Sequence, residues 1–161
     1  MQAMPVELAE QIERILTDVR RRTKAEYILL ADISGQLLSA QGRTDGIDPV
    51  LVAALAASDV AAMAELSRQI GEKNSHGSFL HEGDEKNIYL HVVAGSFLLI
   101  VVFRSATPVG LVRLFARRGV ERLYPLAAEF EESLSLSGEG KLLSNDFGAA
   151  LTDELERAFG V

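Results

Sequence analysis

Cysteine is absent from all 161 residues, so no disulfide framework, thiolate nucleophile or cysteine-rich zinc site can be built. Nothing in that composition points to an oxidising compartment. A basic excess is missing as well: Lys and Arg total 16 against 23 Asp and Glu, for a net charge of -7. A nucleic-acid binder needs a cationic footprint to exchange for counterions, which makes DNA and RNA poor partners. Long apolar runs are lacking: the longest, Phe97 to Phe103, is far too short to cross a bilayer, and residues 1–25 lack the basic start and apolar centre of a signal peptide. No stable membrane insertion is expected, and the cytoplasm is the expected compartment. No glycine-rich loop introduces a phosphate site, no Ser, His and Asp spacing marks a nucleophile, and no carboxylate pair stands out for acid–base work. Neither a cofactor nor an enzymatic site of the chain's own is expected.

What is present is enough apolar content, 48%, for one core of ordinary size. Pro5 opens a helix that lays Leu8, Ile12, Ile15, Leu16 and Val19 on one face, with Arg20, Arg21, Arg22 and Lys24 at its end to suit the helix dipole. Tyr27 to Ala31 and Gln36 to Ala40 read as strands joined by the turn Asp32-Ile33-Ser34-Gly35. Asp48 can cap, and Pro49 begin, a second helix that Gly71 closes. Three strands follow at about His76 to His81, Asn87 to Val93 and Phe97 to Phe103; the last is apolar on both faces and belongs at the centre of a sheet with helices on both sides. Thr107 and Pro108 begin a final helix reaching about Ser135, in which Pro125, with Gly119 nearby, predicts a kink or break.

These elements make an α+β fold, a five-stranded antiparallel sheet sandwiched between helices in the order α-β-β-α-β-β-β-α. The expected organisation is a domain over residues 1–135, a flexible serine- and glycine-rich linker over 136–145, and a short C-terminal amphipathic helix within 146–161. On that tail Phe147, Leu151, Leu155 and Phe159 fall every fourth residue, a docking face that orders only against a surface of its own domain or of another protein. A frayed, solubilising tail is the plain alternative.

The helix from Asp48 to Gly71 carries two apolar rows. Val52, Leu55, Met63, Leu66 and Ile70 read as the stripe a helix lays on its sheet, with Asp59 interrupting it. Beside them run Ala53, Ala57, Ala61 and Ala64, a low-relief row that invites another backbone, unless alanine is there only as the best helix former. Arg68, near the end of that row, and Arg104, after the central strand, are the candidates for a guanidinium offered to a partner's phosphates, though both suit a solvated role. His81 and His91 with Glu82 fall short of the three or four converging ligands a metal needs. Arg113, Arg117, Arg118 and Arg122 on the last helix suit an acidic partner or an anionic surface, and equally a solvated face.

The order of elements, together with Leu30-Ala31-Asp32-Ile33-Ser34-Gly35-Gln36, Val60-Ala61-Ala62-Met63 and Val109-Gly110-Leu111-Val112-Arg113-Leu114, resembles the roadblock / dynein light chain family over residues 5 to about 135. Phe79 to Arg113, with His81-Glu82-Gly83 and Ile88-Tyr89-Leu90, looks like the bacterial branch of that family. The resemblance implies a roadblock-like fold and a homodimer in which the third strand pairs with its twin, placing His76, Ser78, Phe79, Leu80 and His81 at the interface. It also implies a small Ras-like GTPase as partner in bacterial polarity or motility. The alanine row Ala53, Ala57, Ala61 and Ala64, Arg68 and the tail residues Phe147, Leu151, Leu155 and Phe159 would bind that partner, and the chain would act by remodelling its switch regions. A scaffolding adaptor that bridges proteins without changing a rate is the alternative, and a small-molecule sensor a third reading.

Overall fold

Why each segment adopts its element is visible at its ends. The structure is a computed structural model that describes residues 4–73, 77–136 and 152–160. Helix α1 (Val6–Thr23) starts after Pro5 and stops at Lys24, whose φ of 56° reverses the chain while its amide returns to the Arg20 carbonyl. Strands β1 (Tyr27–Asp32) and β2 (Leu37–Gly42) form the expected hairpin. In its turn, the Asp32 carboxylate accepts hydrogen bonds from the Ser34 and Gln36 amides at 3.0 and 2.9 Å, and Gly35 takes the φ of +97° that a side chain would resist. Helix α2 (Pro49–Gln69) is capped by Asp48, which accepts from the Leu51 amide at 3.1 Å.

Strands β3 (Ser78–Glu82), β4 (Lys86–Val93) and β5 (Phe97–Arg104) complete an antiparallel sheet of order β2-β1-β5-β4-β3. Strand β5 lies at its centre, with Phe97 to Phe103 buried throughout, as a strand apolar on both faces requires. Helix α3 (Val109–Leu136) then runs back over the sheet. The expected break does not occur: Pro125 sits inside one continuous helix, and Leu136, placed in the linker by the sequence reading, ends it. Packing overrides the missing hydrogen bond, because Leu123, Leu126, Ala127 and Phe130 on either side of Pro125 are all held in the core. His76 and residues 137–151, including Phe147, Leu151 and nearly all of the expected linker, lie outside the described residues. A helix over 152–159 follows them.

The two faces of the sheet are covered unequally. Helices α1 and α3 share one face and pack on each other and on β1, β2, β4 and β5. There they bury Leu8, Ile12, Leu16, Phe97, Phe103, Leu123 and Phe130 in the larger of two cores. Among the described residues the other face has only α2, which lies over β1, β2 and β5. Strand β3 is left as one open edge of the sheet.

Gly119 sets how closely α1 and α3 approach, since a Cβ built there would overlap Val19 Cγ2. Gly119→Val is therefore expected to destabilise the protein by about 1–3 kcal/mol through overpacking. Urea unfolding at fixed protein concentration checks this, and adding Val19→Ala should restore part of the loss.

Candidate functional site

Helix α2 is apolar nearly all round, so periodicity alone could not say which side meets the sheet. The structure reverses the expected assignment. Ala53, Ala57 and Val60 are the buried residues of α2 and pack on Leu29, Ala31, Leu98 and Ile100. Val52 and Met63 are half-buried, whereas Leu55, Leu66 and Ile70 are 59%, 51% and 74% exposed. Of the proposed partner-binding alanines, Ala53 and Ala57 are thus spent on the chain's own sheet, while Ala61 and Ala64 stay exposed.

The physical reason is a close approach at the β1–β2 turn. A methyl group built on Gly35 would stand 3.0 Å from the Ala54 Cα and 3.2 Å from the Ala57 Cβ, so the turn and the helix leave no room for anything larger than alanine. A leucine row cannot lie that close to backbone. The larger side chains are therefore pushed to the flank and the outside of the helix. A glycine in the hairpin turn together with an alanine row on the next helix was the signal available in the sequence for this arrangement.

Beside α2, over the half of the sheet it does not cover, lies an apolar groove of about 380 Å³. Val52, Leu55 and Ala56 supply the helix side, and Ile88 and Leu90 of β4 with Ile100 of β5 supply the sheet side. Across it His81 Nε2 of β3 meets Asp59 Oδ2 of α2 at 2.7 Å. This pair is half-exposed and contributes at most about 1 kcal/mol. Covering one exposed leucine is worth roughly 1.5–3 kcal/mol, so apolar contact would dominate any docking here. The groove adjoins the open edge of β3, where Ser78, Phe79 and Leu80 are half-buried and His81 is exposed. The edge was legible in the sequence; the groove and the cross-groove pair were not, because they exist only once Asp59 and His81, 22 residues apart in the chain, are brought onto one surface.

The remaining candidates fall elsewhere. Arg68 is held in a two-point pair by Glu65, Nε to Oε2 at 3.0 Å and Nη2 to Oε1 at 2.6 Å, and that pairing lowers the Glu65 pKa and raises that of Arg68. Arg104 ends β5 and lines a polar cleft with Lys24, Glu26 and Lys86, away from α2. His91 is half-buried and its Nδ1 lies 2.9 Å from the Tyr89 hydroxyl; burial, and then the charge of Arg117, lower its pKa. Among the described residues no three histidine, aspartate or glutamate side chains converge as a metal site needs. Leu155 and Phe159 are exposed on the helix of residues 152–159. By length and composition alone α2 is apolar enough to cross a membrane, which the sequence reading, looking for an unbroken run, did not expect.

Residues 11–103 match the Roadblock/LC7 domain. Among solved structures, MglB of Myxococcus xanthus superposes with a TM-score of 0.74 at 32% identity, over 80% of this chain and 96% of that one. Gliding protein MglB of Thermus thermophilus does so at 0.71 and 27%, over 79% of this chain and 96% of that one. An MglB with a tetrameric arrangement gives 0.71 and 28%, over 79% of this chain and 95% of that one. No curated protein matches the sequence.

The reversal of α2 has a measurable consequence. Ala57→Leu should lower stability by about 1–3 kcal/mol, because the added methylenes meet Gly35 and the sheet. Ala61→Leu, on the exposed side, should stay within about 0.5 kcal/mol. Thermal unfolding of the two variants side by side separates a sheet-facing alanine row from a solvent-facing one.

Proposed function

The chain belongs to the Roadblock/LC7 family, and on that ground we propose that it is a homodimeric, cytoplasmic regulator of a small Ras-like GTPase. The observation that carries this reading is the solvent-facing apolar side of α2, which the chain's own sheet leaves bare. Monomeric soluble proteins rarely leave such a surface wet, and large apolar side chains exposed along one helix, as Leu51, Leu55, Leu66 and Ile70 are, mark a protein–protein contact.

Two neighbouring surfaces divide the work. The edge of β3, through Ser78, Phe79, Leu80 and His81, and the groove beside α2 receive the second copy, which pairs its own β3 and buries Leu55. The C-terminal half of α2, where Ala61, Ala64 and Arg68 continue the alanine row but are exposed, then receives the GTPase. Ala61 and Ala64 let the partner's switch regions lie close, while Leu66 is exposed on the same side of the helix as Leu55. Arg68 is already engaged by Glu65, so its role is to shape the rim of the contact rather than to reach a phosphate. The regulator orders its partner's switch loops and lends no catalytic group of its own, and the cellular setting is bacterial polarity or motility. The C-terminal residues Phe147, Leu151, Leu155 and Phe159 add a second contact to the GTPase.

Leu55→Glu should convert the dimer to monomer in sedimentation equilibrium, because it places a charge in the groove. A dimer that survives the change would remove the groove from the interface. Ala61→Arg combined with Ala64→Arg should leave fold and dimer intact and reduce stimulation of GTP hydrolysis by the cognate GTPase at least about tenfold, a loss of roughly 1.4 kcal/mol. Undiminished stimulation would sink the platform on α2, and binding without any change of rate would place the chain with the adaptors.

A further inference from the structure

The layer of α1 and α3 carries its charge at two poles. The helices run antiparallel: Arg22 of α1 lies over the ring of Phe115 of α3 at 5.6 Å, and one turn back along α1, two turns on along α3, Asp18 meets Arg122 at 2.8 Å. Arg118 lies over the same Phe115 ring at 5.5 Å. The end of α1 and the start of α3 therefore bring Arg21, Arg22, Arg113, Arg117 and Arg118 to one end of the layer. Glu7, Glu10, Glu129, Glu131 and Glu132 stand at the other.

One carboxylate serves the basic pole. Asp18 holds Arg21, Arg22 and Arg122 at 3.7, 3.1 and 2.8 Å. Arg22, and after it Arg122, lowers the Asp18 pKa against the partial burial that raises it. Arg113, Arg117 and Arg118 are exposed and have no carboxylate within ion-pair distance among the described residues. Leu114, 47% exposed, stands among them. The pole thus has three unpaired guanidinium groups, one of them already ordered on an aromatic ring, around an apolar spot.

The complementary surface is in the same chain. The helix of residues 152–159 pairs its single Arg157 with Asp153 at 3.6 Å, which leaves Glu154 and Glu156 as its uncommitted acidic side chains, and its Leu155 and Phe159 are exposed. Residues 137–151 join it to the end of α3, and fifteen residues span at most about 50 Å. Arg118 lies only about 27 Å back along α3 from Leu136, well inside that reach. We propose that this acidic C-terminal helix folds back onto the arginine pole of its own chain, where Arg113, Arg117 and Arg118 take Glu154 and Glu156 and the exposed Leu114 receives its apolar face.

Each exposed ion pair gives only about 0–1 kcal/mol. Tethering raises the local concentration of the helix into the millimolar range, however, so contacts too weak for a free peptide suffice to hold it. The contact stands independently of any GTPase and makes the arginine pole a built-in competitor for whatever else the tail binds. An anionic lipid surface is the less favoured occupant, because a chain of net charge -7 is repelled from it as a whole.

The absence of native cysteine makes the test simple. A nitroxide on Val161→Cys of the full-length chain, diluted into unlabelled protein so that contacts between copies are suppressed, should broaden the backbone amides of residues 113–118 at low ionic strength. The effect should vanish in about 1 M salt, where the Debye length falls to roughly 3 Å. Arg113→Glu, Arg117→Glu and Arg118→Glu together should abolish it, and adding Asp153→Arg, Glu154→Arg and Glu156→Arg should bring it back, which a merely misfolded variant could not do. Absence of broadening at low salt, broadening that appears only in undiluted samples, or broadening that survives the charge reversal would each overturn the proposal. So would binding of the full chain to phosphatidylglycerol vesicles through the same arginines with the tail amides unmoved.

Discussion

Most of what distinguishes this surface follows from one steric constraint, the approach of α2 to the β1–β2 turn. Gly35 leaves room for the helix backbone at Ala53 and Ala54, and Ala57 brings only a methyl group to the turn. Were the row facing the sheet built of leucine, the helix would have to stand further off and slide toward the uncovered strands. Instead α2 is fixed over β1, β2 and β5, and its large side chains, Leu55, Leu66 and Ile70, face away from its own subunit. The groove beside it, the half-bare face of β3 and β4, and the cross-groove pair of His81 and Asp59 are all consequences of where that helix is held.

The opposite face of the sheet obeys a different logic. There two helices share the load, and their packing is set by ordinary leucine, isoleucine and phenylalanine side chains with one close approach at Gly119. That face is closed and stable, which frees its outer surface to carry charge. One face of the sheet is therefore left for apolar association, while the other carries separated charge. Apolar burial of several exposed leucines outweighs any single half-exposed ion pair, so the α2 side is where an affinity of useful size can arise. The arginine pole works only with help from a tether, because each of its contacts is weak.

Parts of this were legible in the residues alone. Phe97 to Phe103 placed β5 at the centre of the sheet, and Leu8, Ile12, Ile15, Leu16 and Val19 gave the buried face of α1, because strong one-sided periodicity has a single satisfactory packing. Asp48, Pro49 and Gly35 marked their cap and turn through local chemistry. The faces of α2 were not legible, since a helix apolar on every side satisfies more than one packing, and side-chain size rather than hydrophobicity decided between them. Pro125 does not break α3 for a related reason: its local cost is fixed, whereas the core contacts of Leu123, Leu126 and Phe130 that outweigh it come from the other end of the chain.

Sequence by itself determined the order of the elements, the Asp48 cap, the α+β class, and the supply of apolar and charged residues, because each depends on neighbours within a few positions. Tertiary structure alone decided which side of α2 stays wet, that Asp59 and His81 meet across a groove, and that arginines from both ends of the chain gather around Phe115. Those facts depend on distances between residues far apart in the chain, and such distances are set by close packing, which no local pattern encodes.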